Sequence, residues 1–147
     1  MTIEELRKLD SLYRQEKPNL FRLSTPDQPA SEDQITELET SVGVRLPQEY
    51  RSFLREFGGG SYGLATIFSA EPESEWYLPR KQAEANRYLP EGLLAFSDDF
   101  AGGNYVLKVL NGQALKPVFY WNQDGGEAPT EFDDVIEFIA RYAYEPA

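Results

Sequence analysis

Apolar residues in this chain recur at two spacings, one that suits helices and one that suits strands. Ile3, Leu6, Leu9, Leu12 and Tyr13 sit at near-helical intervals behind Thr2-Ile3-Glu4-Glu5, a Thr and Glu three apart. That pairing caps helix starts, so the spacing predicts a first helix of about a dozen residues. Lys17 to Pro29 holds Pro18, Pro26 and Pro29 and reads as an extended connector with no regular element. Ser31-Glu32-Asp33-Gln34 is a second capping box; Ile35, Leu38 and Val42 then mark one helix face, and Gly43 supplies a left-handed exit. Pro47 suits a first-turn position, where its missing N–H is harmless, and Tyr50, Phe53, Leu54 and Phe57 keep helical spacing up to Gly58-Gly59-Gly60.

Beyond the glycines the apolar runs shorten. Leu64 to Phe68 and Trp76 to Leu78 are β-like, with a helical insert predicted from Pro79 to Leu89. Leu93 to Phe96 reads as a strand, Ser97 to Gly103 as a turn and Tyr105 to Val109 as the next strand. Asn111-Gly112 is a two-residue hairpin signal, and the return strand ends in Val118-Phe119-Tyr120-Trp121. Asn122 to Gly126 makes another turn, after which Thr130 can cap a last helix carrying Phe132, Val135, Ile136, Ile139 and Tyr142. Helices, then hairpin-joined strands, then a closing helix specify an α+β fold. Hairpin connections make the sheet antiparallel and leave no room for βαβ crossovers. A length of 147 residues suits one domain spanning 1–147.

Composition removes whole classes of chemistry. The chain has no histidine and no cysteine, which excludes imidazole bases, thiol nucleophiles, disulfides and every metal centre built on those ligands. With 25 acids against 14 bases the net charge is −11, which disfavours nucleic acid and anionic membrane as partners. No apolar run approaches a bilayer span, and Met1-Thr2-Ile3-Glu4-Glu5 lacks the basic start and apolar stretch of a secretory signal, so a soluble, cytoplasmic protein is expected.

Three features could carry function. Gly59-Gly60-Ser61-Tyr62-Gly63 matches the nucleophile-elbow pattern, but that motif needs a strand entering, a helix leaving and a histidine base. The carboxylate pairs Asp98-Asp99 and Asp124 with Glu127 could serve a metal or glycoside hydrolysis, although 25 carboxylates produce close pairs by chance. The distribution of charge says more. From Glu91 onward there are ten acids against Lys108, Lys116 and Arg141, and seven of the ten fall in Asp98-Asp99 or between Asp124 and Asp134. These places border predicted strand ends, where binding residues tend to sit. A recognition face would draw its charge from Asp98, Asp99, Asp124, Glu127 and Glu131, with Trp121 or Trp76 as an anchor if exposed.

The run Ile35-x-x-Leu38-Glu39-x-x-x-Gly43-Val44-x-Leu46-Pro47-x-x-Tyr50-x-x-Phe53-Leu54-x-x-Phe57-Gly58-Gly59-Gly60 resembles the N-terminal motif of the SUKH superfamily. Two later blocks are similar to it as well: Leu93 to Asp99 leading into Gly102 to Leu107, and Pro117 to Trp121 followed by a helix at Phe132 to Ile139. The resemblance runs from about Ser31 to Tyr142. It implies helices packed on a curved, mainly antiparallel sheet, with 31–147 as the family core behind a 1–30 helix and connector. It implies no catalysis and no cofactor. Bacterial members resemble immunity proteins that bind a toxin domain, often a nuclease or another nucleic-acid-modifying enzyme; fungal members act in cell-wall-synthesis regulation as interaction hubs. The expectation is a toxin-neutralising protein, and the alternative is an intracellular interaction module. Leu46, Pro47, Tyr50, Phe53, Gly59 and Gly60 look structural in the motif. Asn104 departs from the family, many of whose members carry an acid there.

Overall fold

Thr2 opens helix α1 (Ile3–Glu16) by accepting the Glu5 N–H at 3.2 Å, and Leu6 on its inner face is fully buried. The computed structural model describes residues 1–22 and 24–144. The stretch expected to be a plain connector instead carries a 3-10 turn, Pro18–Phe21, and a short strand, β1 (Thr25–Pro26); Leu23 within it lies outside the described residues. Pro18 fits the start of the turn, and Pro26 is tolerated because β1 pairs on one side only, leaving its missing N–H unmissed.

Helix α2 (Glu32–Val42) has a complete capping box: Ser31 Oγ accepts the Gln34 N–H and Gln34 Oε1 accepts the Ser31 N–H, each at 3.1 Å. Gly43 closes it in the left-handed region at φ 70°. Pro47 stands at the N-cap of α3 (Gln48–Glu56), one position before the predicted first turn. Leu46, Tyr50 and Phe53 are buried, and the Tyr50 hydroxyl donates to the Phe68 carbonyl at 2.6 Å. The glycines that follow do more than stop the helix. A β-carbon at Gly59 would lie 2.6 Å from Ser69 Cα and one at Gly60 2.8 Å from the Thr25 carbonyl, so bare backbone is what lets neighbouring strands close in.

Strands β2 (Gly60–Tyr62) and β3 (Ala65–Ile67) join β1 in a three-stranded antiparallel sheet, with Leu64 in the intervening turn and not in a strand. Ser61 therefore sits mid-strand, with no elbow around it. Trp76 to Leu78 do not form a strand either. Ser69 and Tyr77 make one isolated bridge, and Leu78 already begins α4 (Leu78–Ala85), because Pro79 is at home in a first turn. That helix ends four residues before Leu89.

The second sheet is antiparallel in the order β4 (Leu93–Asp98), β5 (Gly103–Leu110), β6 (Gln113–Asn122), β7 (Gly126–Pro129). Asn111 and Gly112 turn the β5–β6 hairpin with φ 52° and 75°. Strand β7 has no counterpart in the apolar pattern of the sequence. Thr130, expected as a helix cap, donates its hydroxyl to the Val118 carbonyl at 2.6 Å and accepts the Phe132 N–H. The cap of α5 (Val135–Ile139) is Asp134, which accepts the Glu137 N–H at 2.8 Å, and α5 runs into a π turn at Ala140–Tyr144.

Helices, antiparallel strands and a terminal helix make this the α+β fold read from the sequence, with the sheet divided in two. The two sheets meet where the Phe68 N–H donates to the Phe96 carbonyl at 2.8 Å. Phe96 packs against Tyr50 and Phe138, tying α3 and α5 to one face of the second sheet. Gln82 of α4 clasps the β4 backbone, donating to the Leu93 carbonyl and accepting the Ala95 N–H. The Tyr144 hydroxyl donates to Asp10 Oδ1 at 2.7 Å, fastening α1 to the C-terminal turn.

Candidate functional site

Strand register decides which acids can act together. Gly103 pairs with Asn122 and Asn122 with Gly126, so the β4–β5 and β6–β7 turns emerge side by side at one end of the second sheet. Asp98, Asn104, Trp121 and Glu127 are in register across all four strands, which puts their side chains on one face. Neither turn contains a Lys or Arg.

The two adjacent aspartates differ in what they do. Asp99 is committed to the turn: Oδ1 accepts the N–H groups of Ala101 and Gly103 at 2.8 Å each, and Oδ2 accepts the Tyr120 hydroxyl. Desolvation pushes its carboxyl up, but these hydrogen bonds outweigh that and hold it below the ordinary carboxylate value. A β-carbon at Gly103 would collide with the Tyr120 hydroxyl, which accounts for glycine there. Asp98 uses Oδ1 to accept the Phe100 N–H at 2.8 Å and is otherwise half-exposed.

Between these aspartates and the glycines, Phe100 stands 64% exposed with a left-handed backbone, φ 59°. Among the described residues it is the one exposed phenylalanine. Its ring meets Trp76 edge to face, centroids 5.8 Å apart. Trp76 is half-buried; its backbone N–H donates to Ser74 Oγ at 3.0 Å, and the Lys81 ammonium lies 5.1 Å from its ring centre. This contact draws the segment holding the exposed Glu73 and Glu75 alongside the β4–β5 turn.

Trp121 is not an exposed anchor. It is 6% exposed because Tyr88, just beyond α4, stacks on it with centroids 5.5 Å apart. The Tyr88 hydroxyl donates to Asn104 Oδ1 at 2.8 Å while Asn104 Nδ2 donates to the Ser97 carbonyl at 3.2 Å. Asn104 is buried and uses donor and acceptor at once, a combination that a carboxylate cannot reproduce. Burial raises the Tyr88 pKa, and the negative charges of Asp98, Glu84 and Asp99 raise it further, so this aromatic edge lies in an acidic field.

The remaining acids divide. Asp124 is exposed on the β6–β7 turn, and Glu127 pairs with Lys108 at 3.2 Å. Glu131 lies four residues further along the chain, about 13 Å at strand rise, and pairs with Arg141 at 3.1 Å, which takes it out of the cluster. Sequence patterning missed Phe100 and Tyr88. A signal existed for Phe100: an aromatic inside Asp98-Asp99-Phe100-Ala101-Gly102-Gly103 has no helix or strand to bury it.

Among the described residues no three carboxylates gather as a metal site. A groove of about 400 Å³ lies at the other end of the sheet by Val44, Leu89, Leu93 and Val109. No helix among the described residues is long and apolar enough to cross a membrane. The acidic end combines exposed carboxylates with the partly exposed aromatic pair of Trp76 and Phe100. In comparisons with known proteins, the SUKH_6 family model, described as SMI1-KNR4 cell-wall, matches residues 32–139, from the start of α2 to the end of α5. No curated protein matches the chain significantly.

Proposed function

We propose that this chain, which belongs to the SMI1-KNR4 family of the SUKH superfamily, is a non-catalytic protein that binds and neutralises a toxin domain. The observation that carries this reading is the pair of cation-free acidic turns side by side at one sheet end. An enzyme that works on nucleic acid needs a basic cleft for phosphate. An acidic partner is steered to such a cleft and blocks it by occupying the phosphate positions. Asp98 and Asp124 supply the charge, Glu127 shares its own with Lys108, and Asp99 shapes the turn that presents it. On this reading the protein acts in the cytoplasm of the cell it protects.

The test is co-expression: the chain should rescue cells from a basic nuclease or other nucleic-acid-modifying toxin domain encoded beside it. The purified pair should associate at least about tenfold more slowly in high salt than in low salt. An association rate indifferent to ionic strength would overturn the electrostatic reading. The family description also favours a second reading, a regulatory interaction module of the cell-wall type. Failure to rescue from every toxin domain of the source genome would favour that one.

A further inference from the structure

We infer that Phe100 is the anchor of the binding surface and that its partner presents arginine to it. This deepens the proposed function and rests on its reading that a basic protein is bound. The first support is conformational. Bulky side chains rarely adopt a left-handed backbone, because Cβ crowds the following carbonyl. Phe100 adopts it at φ 59°, and its ring gains little cover from the fold, since it remains 64% exposed. Glycine follows two residues later, so the turn chemistry for a cheaper tip was at hand. The other large phenylalanines of the core, Phe53, Phe68, Phe96 and Phe138, are almost wholly buried.

The second support is rigidity. Three backbone N–H groups of the turn, those of Phe100, Ala101 and Gly103, are taken up by Asp98 and Asp99, and Tyr120 holds Asp99 from β6. Trp76 packs against the ring at 83°. A ring held still before binding loses little freedom on binding, which is what a strong anchor requires. The third support is charge. A carboxylate rim beside an open aromatic face fits a guanidinium, which can stack on the ring and hydrogen-bond to the acids at once. The same rim repels nucleic acid, anionic lipid and a second copy of this acidic chain. The chain's own cations already lie over aromatic rings here, Lys81 over Trp76 and Lys108 over Phe119 at 4.3 Å.

The full-length chain is to be titrated with decaarginine and decalysine peptides, following Trp fluorescence and calorimetry, alongside F100A and F100G. Wild type should bind decaarginine several-fold more tightly than decalysine, and both variants should lose that preference. F100G should not lower the melting temperature, since glycine fits this backbone, so lost binding cannot be ascribed to unfolding. Equal affinity for the two peptides, or an arginine preference that survives in F100A, overturns the assignment. So does a Phe100-dependent dimer in sedimentation, or Phe100-dependent binding of a single-stranded oligonucleotide. Because decaarginine is not a toxin, the two proposals fail separately. A chain that rescues cells without a Phe100-dependent arginine preference sinks the anchor alone, and one that shows the preference but rescues from nothing sinks the toxin.

Discussion

The two ends of the second sheet solve the same problem differently. Each turn holds a non-glycine residue in the left-handed region, Phe100 at φ 59° and Asn111 at φ 52°, and each exposes an apolar side chain, Phe100 at 64% and Leu110 at 61%. Asn tolerates that backbone because its short polar side chain can bond locally, and Asn-Gly suits the twist of a hairpin. The hairpin end is then held by the main chain: the Arg45 N–H donates to the Gly112 carbonyl and the Ala114 N–H to the Arg45 carbonyl. Phe has no such ease, and its turn is held by two carboxylates and a tyrosine. One end follows local propensity. The other departs from it, and departures of this kind point to demands other than folding.

The comparison is broken most directly by making one exchange at both ends. Asn104→Asp removes the donor to the Ser97 carbonyl and buries a carboxylate beneath Tyr88, and is expected to destabilise by about 3 kcal/mol in urea unfolding. Asn111→Asp, exposed at the hairpin tip, should change stability by less than about 0.5 kcal/mol. Equal effects would mean that the amide beneath the acidic end has no special role.

A second pair sharpens the backbone contrast. Phe100→Gly should stabilise by roughly 1 kcal/mol as strain is released, and Asn111→Ala should destabilise by a similar amount, both read by thermal unfolding. Next comes acid. The Asp99 carboxyl is depressed below its ordinary 3.8 in the folded chain, so its contribution to stability is present above that value and is lost as pH falls through the lower, folded one. Asp99→Asn should therefore flatten the acid limb of a stability profile below about pH 4. The smallest effect is expected at Asp124→Asn, within about 0.5 kcal/mol of wild type, with a lowered association rate for a basic partner as its main signature.

How legible each part was depended on how local its cause is. The Ser31 capping box, the Tyr50, Phe53 and Leu54 face and the Asn111-Gly112 turn were all readable, because the atoms involved lie within a few residues of each other. Strand β7 was not. Gly126 to Pro129 has no alternating apolar pattern, and it becomes a strand because β6 is ten residues long and offers an open edge opposite it. The burial of Trp121 was illegible for a related reason: its cover, Tyr88, comes from just beyond α4, some thirty residues earlier. Glu131 looked like part of an acidic run with Asp124 and Glu127, yet strand rise carries it away to Arg141.

By itself, then, the sequence determined the fold class, the caps, the helix faces, the absence of imidazole and thiol chemistry, and a surplus of negative charge concentrated after Pro90. These depend on composition or on neighbours along the chain. Which carboxylates share a face at that end was decided only by the register of β4 through β7. Which of two adjacent aspartates is held in its turn, and which aromatic ring is left in solvent, was decided by side chains that meet across long separations. A one-residue slip of any of those strands would turn its member of the Asp98, Asn104, Trp121 and Glu127 row to the opposite face.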